Sequence, residues 1–428
     1  MYKVSKLKNG INLIKVPLKG SKAVTIMAMF PVGSRYEHKK ISGISHFVEH
    51  MLFKGTKKRP THLEISRELD SLGAEYNAFT SKDYTGYYVR TGEINTEKAF
   101  DWLADITFNS KLDGEEIEKE KGVIVEELRM YEDNPLMAVD NLFERAMFGE
   151  GHPLGWDIGG TPESVRGLSR EDLWNYYQNF YLPSNMVLVV AGNINDKKLA
   201  KSLKSFETGR AKDKKHDLKS NFEKFVWKKE LLPLAERLVV SEKKLDQAQV
   251  IMGFPGLPYN DPDRFAASVL LNILGGGMSS RLFVEVREKR GLAYMVNAGA
   301  GAFRDVGVAT IQAGLDPSRL ADAIAVIKEE LLKITKEPVL AKELADSKNN
   351  IAGRTELSME DSSAQAQWFA KQYWFANKIQ TYEQVTNKIK QVTAADVKRV
   401  AKKLFDFNQM RVAVIGPMSK DKILSLLK

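Results

Sequence analysis

Residues 41–56 read ISGISHFVEHMLFKGT and carry His46, Glu49 and His50 in the order His-x-x-Glu-His. On a helix, His46 and His50 stand four positions apart, so both imidazoles leave one face, a turn apart. Two such imidazoles are a ready pair of zinc ligands. Glu49 projects from the same side, within reach of a water held by the metal rather than of the metal itself. Such a set suits metal-assisted hydrolysis: the metal polarises a carbonyl and acidifies water, and the carboxylate takes the proton. The order is the reverse of the commoner His-Glu-x-x-His. The plain alternative is a packed, hydrogen-bonded pair of core histidines. Against it, the chain holds only six histidines, and Phe47, Val48, Met51, Leu52 and Phe53 supply the apolar surroundings of a dry metal site.

The motif helix is expected over 42–54, with Ser42 or Ser45 as cap and Gly55 at its end. Before it, 11–16 and 23–31 read as short apolar strands. After it come a helix over 61–72 capped by Thr61, a strand and hairpin over 75–90, and a helix near 95–109. Residues 114–133, GEEIEKEKGVIVEELRMYED, form the next informative helix, with Ile117, Ile124, Leu128 and Tyr131 as its buried stripe. Glu120 and Glu127 fall within that stripe, seven residues apart and nearly superposed on one face. Carboxylates on an apolar face are costly unless paired or bound to metal, so this pair is the obvious source of a third ligand. The alternative is that one or both pair with Arg or Lys.

At 428 residues the chain is too long for one ordinary core, and 43% apolar with 28% charged residues describes a folded globular protein. With no cysteine there is no disulfide and no thiolate ligand, so metal must be held by His and carboxylate. The N-terminal MYKVSKLKNGINLIKVP alternates like a strand and has no apolar leader core, and no run reaches membrane-spanning length. These features predict a cytoplasmic protein with no membrane partner. The net charge of +9 comes from scattered lysines with small clusters at Lys212–Lys215 and Lys402–Lys403. No basic stretch is interleaved with aromatics, so the reading is a solvated basic surface and no nucleic acid.

The chain also repeats itself. LSREDLWNYYQNFYLPSNMVLVVAGNI (168–194) resembles VTAADVKRVAKKLFDFNQMRVAVIGPM (392–418), with Asp172 and Gly192 matching Asp396 and Gly416 at an offset of 224. Phe30-Pro31 and Phe254-Pro255 recur at the same offset, and Asn77-Ala78 and Asn297-Ala298 recur at 220. The expected fold is therefore α+β, with two homologous halves, each a mixed sheet with helices packed on it. The expected division is 1–206 with the zinc site, a charged aperiodic linker at 207–222, and 223–428 without a metal site. In the second half SVLLNILGG (268–276) takes the place of the motif helix and offers no metal ligand.

With motif, carboxylates and duplication in hand, the chain resembles the insulinase/pitrilysin family of zinc metallopeptidases, whose motif is the inverzincin one. In size it is similar to the branch of about 400–450-residue bacterial peptidases and processing-peptidase-like subunits. LGWDIGGTPESV, YLPSNMVLVVAGNI and GGGMSSRLFVEVREKRGLAY carry the resemblance across nearly the whole chain. It implies Zn2+ as cofactor, His46, His50 and Glu127 as ligands, and Glu49 as catalytic base. Glu127 follows His50 after 76 intervening residues. Glu120 matches the family's acid beside the ligand shell, which orients a ligand or holds charge near the metal, and Glu126 ranks lower. In GAEYNAFTS (73–81), Asn77, Ala78 and Phe79 match the edge strand to which the backbone of a peptide substrate adds. Arg287 and Tyr294, in REKRGLAY, match a pair that reaches the active site. There Tyr294 is a donor to the oxyanion and Arg287 a hold on the peptide backbone. The resemblance further implies endopeptidase action on short or unfolded polypeptide inside a closed dimeric chamber, formed here by a homodimer. The rival reading is a non-catalytic, processing-peptidase-like subunit.

Overall fold

A computed structural model describes residues 2–209, 223–376 and 378–427. The chain forms two units, each a mixed sheet sandwiched by helices. The first sheet contains β1 (Lys3–Lys6), β2 (Asn12–Pro17), β3 (Ala23–Phe30), β4 (Glu75–Thr80), β5 (Thr85–Gly92) and β6 (Val187–Gly192), in the order β1-β2-β6-β3-β5-β4. The second contains β7 (Leu238–Glu242), β8 (Ala248–Gly256), β9 (Ala293–Ala302), β10 (Gly307–Leu315) and β11 (Arg411–Gly416), in the order β7-β11-β8-β10-β9. Leaving β1 aside, the two orders are the same. In each sheet one pair is parallel (β2 with β6, β7 with β11) and every other pair is antiparallel. The duplicated α+β fold expected from the repeat is the one observed.

On one face of the first sheet lie α1 (Ile44–Met51), α2 (His62–Asp70), α3 (Thr96–Asn109) and α4 (Gly114–Asp133). They enclose a core built on Val24, Ile26, Phe30, Phe47, Val48, Met51, Trp102 and Leu103. Each fully buried side chain of this kind contributes about 1.5–3 kcal/mol. Thr61 begins α2 with the expected capping box to Glu64. Three further helices follow: α5 (Pro135–Phe148), α6 (Pro162–Gly167) and α7 (Arg170–Phe180), the last capped by Ser169 with Asp172.

The packing units differ from the sequence halves, because each sheet's second face is covered by a helix from the other half of the repeat. The first unit comprises Met1–Arg129, Asp157–Phe225 and Leu357–Ile379. Within it the helix Ser362–Phe375 buries Ala366, Phe369 and Ala370 against Ile14, Val16, Met27, Met29, Val187 and Val189. Thr25 Oγ1 and Ser362 Oγ meet at 2.8 Å beneath it. The second unit comprises Met130–Trp156, Val226–Glu356 and Gln380–Lys428. Within it α5, which the sequence reading passed over, buries Val139, Phe143 and Met147 in one cluster with Ile251, Ala413 and Ile415. Of the linker read at 207–222, residues 210–222 lie outside the described residues, and 207–209 close the helix Lys204–Gly209. Among the described residues no helix is long and apolar enough to cross a membrane.

Candidate metal centre

The motif helix is shorter than its expected span, and neither Ser42 nor Ser45 caps it. Gly43 stands at its N-terminus with φ 92°, a left-handed conformation, where an added Cβ would come within 2.4 Å of the Gly159 carbonyl oxygen. The cap comes from further back. The buried Glu37 carboxylate accepts the Gly43 N–H at 2.8 Å, the Ser45 N–H at 2.9 Å and the Ser45 hydroxyl at 2.6 Å. Burial pushes the Glu37 carboxyl up to about 7, against the pull of these donors. An acceptor here satisfies backbone donors that the first turn leaves open. Ile44, Phe47, Val48 and Met51 then anchor α1 in the core, and His46, Glu49 and His50 stay partly exposed on the remaining face.

That face meets α4. The Nε2 atoms of His46 and His50 lie 3.2 Å apart. Glu127 Oε2 is 3.4 Å from His50 Nε2 and 3.8 Å from His46 Nε2. These three ligand atoms lie within 4.8 Å of one another. Two imidazole lone pairs facing each other at this distance repel unless a cation, a proton or a metal, lies between them. Burial, and after it the charge on His50, pushes His46 down to about 4. For His50 burial acts in the same direction, but the bonds to Glu120 and Glu127 outweigh it and push the ring up to about 9. Metal entering here would displace a proton held by this pair.

Glu120 lies on the far side of His50. Its Oε1 is 2.8 Å from His50 Nδ1 and its Oε2 is 2.5 Å from Lys54 Nζ. With its Nδ1 proton donated to Glu120, His50 keeps Nε2 as the ligand atom. Burial opposes the charge on Glu120, but bonds from His50 and Lys54 hold its carboxyl below the usual range. Glu126 points outward and pairs with Arg129 at 2.6 Å. His46 Nδ1 is buried with no hydrogen-bond partner among the described residues, so packing orients that ring. Two nitrogens and a carboxylate oxygen, one ring held by a buried acid, form a donor set that fits zinc with a further position open. Glu49 is mostly buried, which raises its carboxyl, and its Oε2 accepts from the Thr80 hydroxyl at 2.5 Å.

The other sequence-predicted residues fall in two places. Asn77, Ala78 and Phe79 lie on β4, the edge of the first sheet. Asn77 is exposed and its Oδ1 accepts the Ala78 N–H at 2.8 Å. The pleat turns Tyr76, Ala78 and Thr80 toward α1 and Phe79 to the opposite face, where its ring packs edge-on to Tyr84 at 6.0 Å. Phe79 thus offers the edge its backbone alone. Arg287 and Tyr294 belong to the second unit, where the structure brings them together. The guanidinium lies 5.0 Å over the Tyr294 ring and 4.6 Å over Phe283, and Tyr294 is 74% exposed. Glu37, Lys54 and Thr80 were not singled out in the sequence. Glu37 and Thr80 reach the motif from another turn and another strand, which leaves no helical spacing to read, whereas Lys54 stands one helical turn after His50, a local spacing that could have marked it.

Two family models match the chain: "Insulinase (Peptidase family M16)" over residues 17–157 and "Peptidase M16 inactive domain" over residues 167–351. The former contains the motif, and the latter covers most of the half without ligands. An uncharacterized zinc protease of Bacillus subtilis is 35% identical, over 97% of this chain and 98% of that protein. One of Streptomyces coelicolor is also 35% identical, over 98% of this chain and 90% of that protein. Among solved structures, a protease from Helicobacter pylori aligns with a TM-score of 0.86 and 26% identity, covering 97% and 99% of the two chains. A peptidase M16 inactive domain from Pseudomonas fluorescens shares the fold, with a TM-score of 0.87, 19% identity and 98% of both chains covered.

Proposed function

The chain belongs to the insulinase (M16) peptidase family, and from that premise we propose that it is a zinc-dependent endopeptidase that hydrolyses short or unfolded peptides as a homodimer. The observation that carries the proposal is the cluster of His46, His50 and Glu127 with Glu49 on the same helix. His46, His50 and Glu127 would hold the metal. Zinc bound there supplies a Lewis acid that polarises the scissile carbonyl and makes water more acidic. Glu49 accepts the proton of the attacking water and returns it to the leaving amine. Glu120 keeps His50 in the ligating tautomer. Among the described residues β4 has one unpaired edge, so an extended peptide can add there by backbone hydrogen bonds, with little demand on its sequence. Most extended segments of a folded protein are already paired within its own sheets, which favours short or unfolded substrates.

The metal residues lie in the first half of the repeat and Arg287 with Tyr294 in the second, so in a two-fold dimer one chain's pair would complete the partner's site. Tyr294 would donate to the developing oxyanion and Arg287 would hold the peptide backbone. The rival reading, a non-catalytic subunit, gains no support from a chain that keeps His46, Glu49, His50 and Glu127.

The test is hydrolysis of a quenched peptide library by the zinc-loaded protein, with Glu49→Gln and Tyr294→Phe variants alongside. Glu49→Gln should keep its metal and lose roughly 10²–10⁴ in rate. Mixing the two inactive variants should restore about a quarter of wild-type activity, since half of randomly exchanged dimers are mixed and each holds one intact site. Near wild-type turnover by zinc-loaded Glu49→Gln would refute the mechanism, and mixtures that never recover activity would refute the shared site.

A further inference from the structure

The hydroxyl of Thr80 reaches the carboxylate of Glu49 from a strand far from it in sequence. Thr80 is the last residue of β4, paired with Thr85 across the hairpin. Beyond it the turn is locked on both sides. Ser81 N–H bonds the Tyr84 carbonyl at 2.8 Å, closing the hairpin. From the segment before α1, Ser34 N–H reaches the Ser81 carbonyl at 3.2 Å and Arg35 N–H the Lys82 carbonyl at 2.9 Å. Gly33 permits this approach, since a Cβ there would come within 2.0 Å of the Ser81 carbonyl oxygen. Arg35 and Asp83, both buried, form an ion pair at 3.0 Å across the same junction. A buried ion pair is a costly device for stability alone, and its best-attested use is to fix one arrangement. Here the arrangement fixed is that of the turn from which Thr80 extends.

We propose that Thr80 is a positioning residue for catalysis. Its hydroxyl, donating to Glu49 Oε2 at 2.5 Å, aims the base from the strand that receives the peptide. The inference rests on the reading of Glu49 as base and β4 as docking edge. A carboxylate side chain turns about several bonds, and a base must stand within hydrogen-bond reach of the proton it takes. One oxygen held by Thr80 leaves the other to face the water. Because Thr80 belongs to the strand whose edge receives the peptide, a peptide carbonyl docked on β4 and the Glu49 carboxylate share a single rigid reference. Misplacement of the order of 1 Å in such a site can cost on the order of a hundredfold in rate.

The experiment compares Thr80→Val, which keeps the shape and loses the hydroxyl, with Thr80→Ser, which keeps the hydroxyl. Thr80→Val should lower kcat about ten- to a hundredfold, the factor that a hydrogen bond to a charged group represents, with KM and bound zinc unchanged. Thr80→Ser should stay close to wild type. Crystal structures of both metal-free variants supply a readout independent of turnover: the Glu49 carboxylate should move in the valine variant and keep its place in the serine variant. The proposal is overturned if Thr80→Val keeps kcat, if KM alone rises, or if Thr80→Ser is as impaired as Thr80→Val. Should the wild-type protein hydrolyse no peptide, the proposed function fails and the crystal structures alone decide. A carboxylate displaced only in the valine variant upholds the positioning contact, and one that stays in place overturns it.

Discussion

The helix pair α1/α4 and its counterpart in the second unit, Arg264–Gly275 with Ala341–Ser358, occupy matching places in the repeat yet face each other through opposite chemistry. At the repeat offset of 224, His46, His50, Glu120 and Glu127 correspond to Leu270, Leu274, Leu344 and Ile351. Leu270 and Leu274 are fully buried, and Leu344 and Ile351 pack against the same core. Beside this seam the second pair is joined by polar bonds, with Ser347 Oγ 2.8 Å from Asn272 Oδ1 and Asn272 Nδ2 3.0 Å from Asn350 Oδ1. The same backbone frame therefore supports either a metal centre or ordinary core. Four side chains decide between them. In one pair they are held for chemistry, at a desolvation cost met by mutual bonding, and in the other they contribute stability.

Carrying a leucine across the repeat breaks the comparison most directly. His50→Leu should abolish metal binding and reduce hydrolysis to background with the fold intact, as read by metal analysis and circular dichroism. Retained stoichiometric zinc would mean that the ligand set is elsewhere. Leu270→Ala tests the opposite side. Truncating a fully buried leucine should cost about 2–5 kcal/mol in urea unfolding and leave metal affinity untouched. A loss of affinity there would show that the second pair is more than core. The smallest effect sharpens the contrast between the two acids of α4. Glu120→Gln should keep zinc but weaken its affinity about 10–100-fold, the usual cost of a lost hydrogen-bond partner behind a ligand. Glu127→Gln should lose zinc altogether. The reverse outcome, with Glu120 essential for occupancy and Glu127 dispensable, would exchange their roles.

Much of this contrast was legible in the sequence because it is local and periodic. The 114–133 helix has the limits expected from its apolar stripe, and Glu120 and Glu127 emerge on the face that meets the histidines. Likewise, the recurrence of 168–194 at 392–418 announced two similar sheets, and their strand order repeats. What stayed hidden depends on tertiary reach. Gly43, by leaving the helical region, shortens the motif helix, and its cap is a glutamate lying several residues upstream, at Glu37. Asn134 and Pro135 are ordinary helix-start signals and mark α5, but no pattern in Pro135–Phe148 tells which sheet it covers. Phe79 shows the same limit. Its identity suggests a side-chain role at the edge, and only the pleat reveals that the ring turns to the far face.

The exchange of covering helices gives synthesis of the chain a built-in delay. The first sheet is complete in sequence at Gly192, whereas the helix that covers its second face begins only at Ser362. At about 5–20 residues per second, the ribosome needs on the order of 10–30 s to supply that helix. Throughout this interval Ile14, Val16, Met27, Met29, Val187 and Val189 lack the helix that covers them in the folded chain. The second sheet has no such wait, since α5 emerges before any of its strands. The nascent first half is thus the stretch where chaperones have the most to shield, and a ribosome stalled between these points releases a chain prone to associate through that face.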